Sequence, residues 1–166
     1  MDNYICVGKI INTFGIKGEL KINCDFEYKD KIFNKDFPIY IGEFKNKEIV
    51  NSHRIHKNYD LVNFIGYSNI NEVLKYKNEK IYIKREDLDL SENDYLLNDL
   101  IGLNVYDNDK LIGVILDYEQ SVNYILLKIK GEKNFYIPLI DKYIKEVNIK
   151  DKQIITNNGS ELILWK

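Results

Sequence analysis

The stretch "VGKIINTFGIKGELKI", residues 7–22, sets Gly15 and Gly18 around Ile16 and Lys17. Glycines beside a lysine are the raw material of a phosphate-cradling loop. A Walker A loop needs Lys and then Ser or Thr after its last glycine, whereas Glu19 follows Gly18. A dinucleotide fingerprint needs a helix to follow it, and the GxxG clamp of KH domains needs helices around it. Strand-like sequence flanks "GIKG" on both sides. Two readings remain. Gly15 and Gly18 form a structural turn whose glycines supply positive φ, or the same turn also holds Lys17 out toward an acidic partner.

The other chemistry-bearing residues form no constellation. His53 and His56 are the two histidines, in "HRIH". On a strand, positions i and i+3 point to opposite faces, so they do not share a metal site. Beside Arg54 and Lys57 they make either a plain basic strand end or a contact for a phosphate backbone. Cys6 and Cys24 lack CxxC spacing and sit among apolar residues, where a free thiol behaves as a small hydrophobe. No serine lies in GxSxG, and no carboxylate pair has a spacing that suggests acid and base work. The residues call for no catalytic group, no metal and no cofactor.

The elements that position these groups are mainly strands. Alanine, the best helix former, is absent, while Ile and the 13 Tyr are abundant. With 45% hydrophobic and 30% charged residues the chain is globular rather than disordered. It has no apolar run near the roughly 18 residues of a membrane span and no signal-peptide pattern, so the expected location is the cytoplasm, away from membranes.

Strands are expected over 5–11 and 19–24 around the glycine turn, over 37–44 and 47–58, over 60–67 and over 80–85. "SNINEVLKYKNEK" (68–80) reads as a short amphipathic helix, with Ser68 or Asn69 as N-cap and Glu72 near N3. The acidic run "REDLDLSEND" (85–94) breaks the pattern. The second half restarts with a hairpin over 99–119 turning at "DNDK", then strands over 123–129 and 134–140. A short helix or helical turn is expected over 140–149, and strands over 152–157 and 160–166. The expected fold is therefore mainly β: two small β-barrels with one or two short helices, over 1–84 and 95–166, joined by an acidic linker over 85–94.

Charge divides with the halves. Residues 1–84 carry 14 Lys+Arg and 11 Asp+Glu, and residues 85–166 carry 10 and 15. Such asymmetry reads either as a sign of different partners for the two halves or as a plain solvated acidic linker. Tyr95, just past the acidic run, reads either as a protein-contact anchor or as a plug in the interdomain seam.

Several segments together resemble the RimM family of ribosome maturation factors. "VGKIINTFGIKGELKI" resembles that family's N-terminal signature, and "RIHKNYDLVNFIGYSNINEVLKYKNEKIYIKREDL" its middle segment. "NDLIGLNVYDNDKLIGVILD" and "FYIPLIDKYIKEVNIKDKQI" look like the start and the "IP" region of a PRC-barrel. The resemblance runs in order over nearly the whole chain. It implies a translation-factor-like first barrel and a PRC-barrel second. It also implies a non-enzymatic, monomeric assembly factor that binds a protein of the small-subunit head and assists maturation and rRNA processing. The family often carries two adjacent tyrosines before "DLIG"; here they match Tyr95 and Leu96, which keeps the bulk and loses one hydroxyl. On this reading Tyr95 and Leu96 meet the ribosomal protein, and Lys17, Arg54 and Lys57 meet small-subunit rRNA. The rival is a stand-alone PRC-barrel regulator that binds RNA or a metabolite.

Overall fold

The computed structural model describes residues 3–164. Its contacts divide the chain into two units, 1–89 and 90–166. The division falls inside the acidic run, and Arg85–Leu88 of that run form a 3-10 turn belonging to the first unit.

The first unit is a closed barrel of six strands: β1 (Tyr4–Phe14), β2 (Glu19–Cys24), β3 (Pro38–Ile41), β4 (Asn46–His56), β5 (Tyr59–Phe64) and β6 (Lys80–Lys84). They close in the order β1-β2-β5-β4-β3-β6. β1 serves two neighbours because it bulges, between Ile10 and Asn12 against β2 and between Cys6 and Gly8 against β6. Such bulges bend a strand and raise its twist, which lets a small sheet close. Gly8 stands where β2 comes closest: a Cβ there would lie 2.5 Å from the carbonyl oxygen of Asn23. Alternate residues point inward, and Ile10, Leu20, Ile22, Ile39, Val50, Val62, Ile81 and Ile83 are fully buried.

Two short helices complete the unit. α1 (Lys29–Ile32) has no side-chain cap and was not expected; it buries Ile32, with Phe33 buried just beyond. α2 (Ile70–Val73) starts at Asn69, whose side chain accepts from the Glu72 N–H while the Glu72 carboxylate accepts from Asn69 N–H. This is the capping box read from the sequence. The helix is shorter than 68–80, giving way to a 3-10 turn over Leu74–Tyr76.

The second unit is a six-stranded sheet: β7 (Asn104–Asp107), β8 (Lys110–Gln120), β9 (Ile125–Lys130), β10 (Asn134–Pro138), β11 (Ile144–Asn148) and β12 (Gln153–Thr156), in the order β10-β9-β8-β7-β12-β11. Phe135 and Ile137 at one edge and Ile144 and Val147 at the other join one apolar cluster, with Val105, Ile115, Leu127, Ile129 and Ile154 between them. A flat sheet cannot bring both edges to one core, so this one is curled. The contact between β7 and β12 is parallel and all others are antiparallel.

Two sequence expectations fail here. Residues 140–149 hold a single turn and no helix: Tyr143 and Ile144 N–H both bond the Ile140 carbonyl, and where the expected helical stretch would continue β11 follows instead. Residues 160–164 are not a strand: Gly159–Leu164 form a 3-10 helix, and Trp165 and Lys166 lie outside the described residues. Its start is held by Asp107, 8% exposed, whose Oδ2 accepts from Ser160 N–H at 3.1 Å. The Thr156 hydroxyl lies 3.4 Å from Asp107 Oδ1 and donates to the Tyr106 carbonyl at 3.0 Å. Those hydrogen bonds lower the Asp107 carboxyl below its ordinary range although burial acts against them.

Candidate functional site

The glycine stretch is a hairpin turn between β1 and β2. Gly15 has φ 67° and Gly18 φ 92°, both in the region that favours glycine. The turn is pinned: Ile16 accepts a backbone hydrogen bond from Ile70 N–H at 2.9 Å, and a Cβ on Gly18 would lie 3.3 Å from Asn69 N. The capped end of α2 thus fixes the tip, which exposes Lys17 and Ile16, the latter 76% accessible.

Leu20 and Ile22 face the core, so Glu19 and Lys21 lie on the outer face of β2. In register, Lys21 stands opposite Leu61 of β5, and Leu61 opposite Arg54 of β4. Leu61 is fully buried, although its core-facing neighbours are Asp60 and Val62; Lys21 and Arg54 are the side chains that flank it. Arg54 grips Glu19 with two hydrogen bonds, Nε donating at 2.9 Å and Nη2 at 2.8 Å. Its guanidinium also lies 5.6 Å from the Phe14 ring, which is itself 4.9 Å from the His56 ring. The Lys21 ammonium sits 4.2 Å over the Tyr59 ring. The result is a patch of cations interleaved with half-buried rings: Phe14, Lys21, Arg54, His56 and Tyr59.

The three basic candidates do not converge on one point. Leu20 pairs with Val62 and Ile22 with Asp60. Lys17 therefore lies beyond one end of this ladder and Lys57, in the β4–β5 turn, beyond the other, with Arg54 between them. Lys17 and Lys57 are exposed. The charge of Arg54 is matched by Glu19, whose carboxyl the Arg54 hydrogen bonds hold below the usual range. Phe14, Lys21 and Tyr59 were missed in the sequence. Only the alternation of β2 hinted at Lys21, because the three come together from three strands.

The histidines part company, as their spacing implied. His53 Nε2 lies 2.7 Å from Asp60 Oδ1 and its ring stacks on Phe33 at 5.0 Å, whereas His56 meets Phe14. Asp60 is 1% exposed and is also held by Lys29 Nζ at 3.1 Å. Cys24 is buried, which pushes its thiol up to about 11, but Cys6 is exposed, contrary to its apolar sequence neighbours. No group of three His, Cys, Asp or Glu that could hold a metal occurs among the described residues, and no helix there is long and apolar enough to cross a membrane.

In the second unit Tyr95 is half-buried against the apolar cluster. Leu96 is 5% exposed, and its N–H donates to Asp99 Oδ2 at 2.8 Å at the start of a 3-10 turn over Leu97–Leu100. Charge is less divided than the halves implied. Glu86, Asp87 and Asp89 fall in the first unit, leaving net charges of +1 for residues 1–89 and −3 for residues 90–166. The basic character of the first unit is local, in its outer patch and turns.

A closed barrel followed by a curled six-stranded sheet defines a two-unit, mainly β protein that presents its chemistry on open sheet faces and turns. Residues 5–88 match the RimM N-terminal domain and residues 92–163 the PRC-barrel domain. The chain belongs to the RimM family. The ribosome maturation factor RimM of Staphylococcus haemolyticus is 38% identical over 154 residues, spanning 89% of this chain and 92% of that protein. A Staphylococcus aureus counterpart is 37% identical over 155 residues, spanning 90% and 92%. A solved RimM structure from Pseudomonas aeruginosa covers 95% of this chain and 99% of that one at 17% identity, with a TM-score of 0.48. With its first unit matched to a RimM domain, the PRC-barrel here does not stand alone.

Proposed function

We propose that this chain is a monomeric, cytoplasmic, non-enzymatic assembly factor of the small ribosomal subunit. Its first unit meets rRNA, and its second unit meets a protein of the subunit head. Membership of the RimM family supports the general role. The observation that carries the division of labour is the outer face of β1, β2, β4 and β5, where Lys21, Arg54 and His56 alternate with Phe14 and Tyr59. Cations contact phosphates without reading sequence, and rings interleaved with them on a surface can stack with unstacked bases. Lys17 and Lys57 extend the positive track beyond both ends of this face.

The second unit, at −3, complements a basic ribosomal protein, and charge of that kind speeds encounter. Tyr95 is its contact residue. Leu96, buried at the start of the Leu97–Leu100 turn, is packed inward rather than presented to the partner.

Co-sedimentation with free small subunits, large subunits and whole ribosomes tests the proposal. Selective binding to free small subunits that weakens steeply with salt is expected. Equal binding to all three particles, or none at low salt, would overturn it.

A further inference from the structure

The second unit carries a groove that its net acidity hides. Its volume is about 370 Å³, in the range of ligand-binding clefts. It lies at the end of the sheet where β8 begins and β9 ends, because antiparallel strands put the β7–β8 and β9–β10 turns side by side. The floor is aliphatic and aromatic: Leu111, Ile112, Val114, Phe135 and Ile163. Two glycines let β8 and β9 close up beneath it. A Cβ on Gly113 would lie 2.5 Å from Ile129 Cγ2, and one on Gly131 2.5 Å from the Ile112 carbonyl oxygen. β8 and β9 therefore approach as only glycine permits, with no side chain from either position in the groove.

Three lysines rim it: Lys110, Lys130 and Lys133. All three are exposed and none is paired with a carboxylate among the described residues. Glu132 is the one acidic residue of the lining, and Asp109 the nearest in sequence outside it. Three unpaired ammonium groups around an apolar floor, on a unit of net charge −3, are a local reversal of sign.

We infer that this groove is a docking site for an acidic amphipathic peptide segment, which places one apolar side chain over Leu111 and its flanking carboxylates on Lys110, Lys130 and Lys133. Charge complementarity chooses an anionic partner. The floor chooses peptide over RNA: Phe135 is 3% exposed, so no ring face is offered to a base, whereas Leu111, 52% exposed, offers aliphatic contact. The site is separate from the rRNA-facing patch of the first unit and does not depend on the role proposed for it.

The test is fluorescence anisotropy with the full chain and a dye-labelled dodecapeptide bearing a Leu-Phe pair between Asp and Glu residues. The comparison probes are the same peptide with Asn and Gln in place of its carboxylates, and a single-stranded RNA oligomer. The acidic peptide should bind at least about tenfold more tightly than the neutral one, with the preference shrinking as salt rises. Combined Lys110→Glu, Lys130→Glu and Lys133→Glu should abolish binding, while lysine-to-arginine changes at the same positions retain it. The thermal midpoint of each variant establishes that it is folded. Equal affinity for the two peptides, an unchanged affinity in the folded charge-reversed variant, or tighter binding of RNA to this groove would overturn the inference.

Discussion

Arg54 and Glu19 are 35 residues apart and sit on strands that do not pair, yet the guanidinium spans β5 to hold the carboxylate with two hydrogen bonds of 2.9 and 2.8 Å. The pair is partly exposed, at 57% and 21% of side-chain surface, so water screens it. Glu19→Gln should therefore change unfolding free energy by no more than about 1 kcal/mol. Its effect on binding should be larger and opposite in sign to that of Arg54→Gln. If this face meets rRNA, removing Glu19 releases an arginine for phosphate, and removing Arg54 leaves an unpaired carboxylate toward it. Co-sedimentation with small subunits at fixed salt measures both. Weaker binding of Glu19→Gln would mean that the pair acts as a unit rather than as a masked cation.

The same pair sets a pH dependence. Its hydrogen bonds to Arg54 depress the folded-state carboxyl of Glu19, so on acidification the unfolded chain takes up this proton first. The contribution to stability is complete at neutral pH. It is lost as pH falls below about 4.5 and through the depressed folded value. Urea titrations of wild type and Glu19→Gln should converge toward acid, and divergence there would contradict the assignment.

The two turn glycines should respond differently to alanine. Both have positive φ, but a Cβ on Gly15 meets nothing within 4 Å, whereas one on Gly18 presses on the Asn69 backbone at 3.3 Å. Gly15→Ala should cost about 1 kcal/mol of backbone strain. Gly18→Ala should cost about 2–3 kcal/mol and also loosen the capped start of α2. Gly15→Asn should recover part of its loss, since asparagine tolerates this region. Equilibrium denaturation of the three variants gives the order.

This hairpin was legible because its signal is local: two glycines between alternating apolar runs. α2 was legible because Asn69 and Glu72 lie three residues apart. What failed was decided at long range. Nothing in "SELILWK" announces that Ser160 N–H will meet a carboxylate 53 residues earlier, and without that bond the apolar run reads as a strand. "IDKYIKEVNI" has helical apolar spacing at 140, 143, 144 and 147, but Ile144 and Val147 are drawn into the sheet core. The outer patch was half legible. Arg54 and His56 stood out by type in "HRIH", whereas Phe14, Lys21 and Tyr59 did not, because they join the patch only through register.

Glu48 ties the β4 strand to the 3-10 turn after α2 by accepting hydrogen bonds from both Tyr67 and Tyr76 hydroxyls. Lys75 lies 5.3 and 5.1 Å from the same two rings. Tyr76 is 3% exposed, and burial together with Glu48 pushes its phenol far above the ordinary range. Tyr76→Phe should cost about 1 kcal/mol, the net worth of one hydrogen bond. Glu48→Ala should cost more, about 2–3 kcal/mol, because it leaves a buried hydroxyl without an acceptor. If Glu48→Ala proves the milder change in urea denaturation, the two tyrosines must be satisfied by each other.

Lys17 and Tyr95 can be told apart by salt rather than by affinity. If Lys17 and Lys57 contact phosphates, each releases counterions on binding, and removing one should lower the slope of log affinity against log salt by about 0.7–0.9. Tyr95, half-buried at the edge of the second unit's cluster, has no charge to contribute. Tyr95→Ala should therefore weaken binding to small subunits while leaving the slope unchanged, and Tyr95→Phe should retain most of the affinity if ring area rather than the hydroxyl carries the contact. A slope that falls with Tyr95→Ala, or stays fixed with Lys17→Ala, would exchange the roles of the two units.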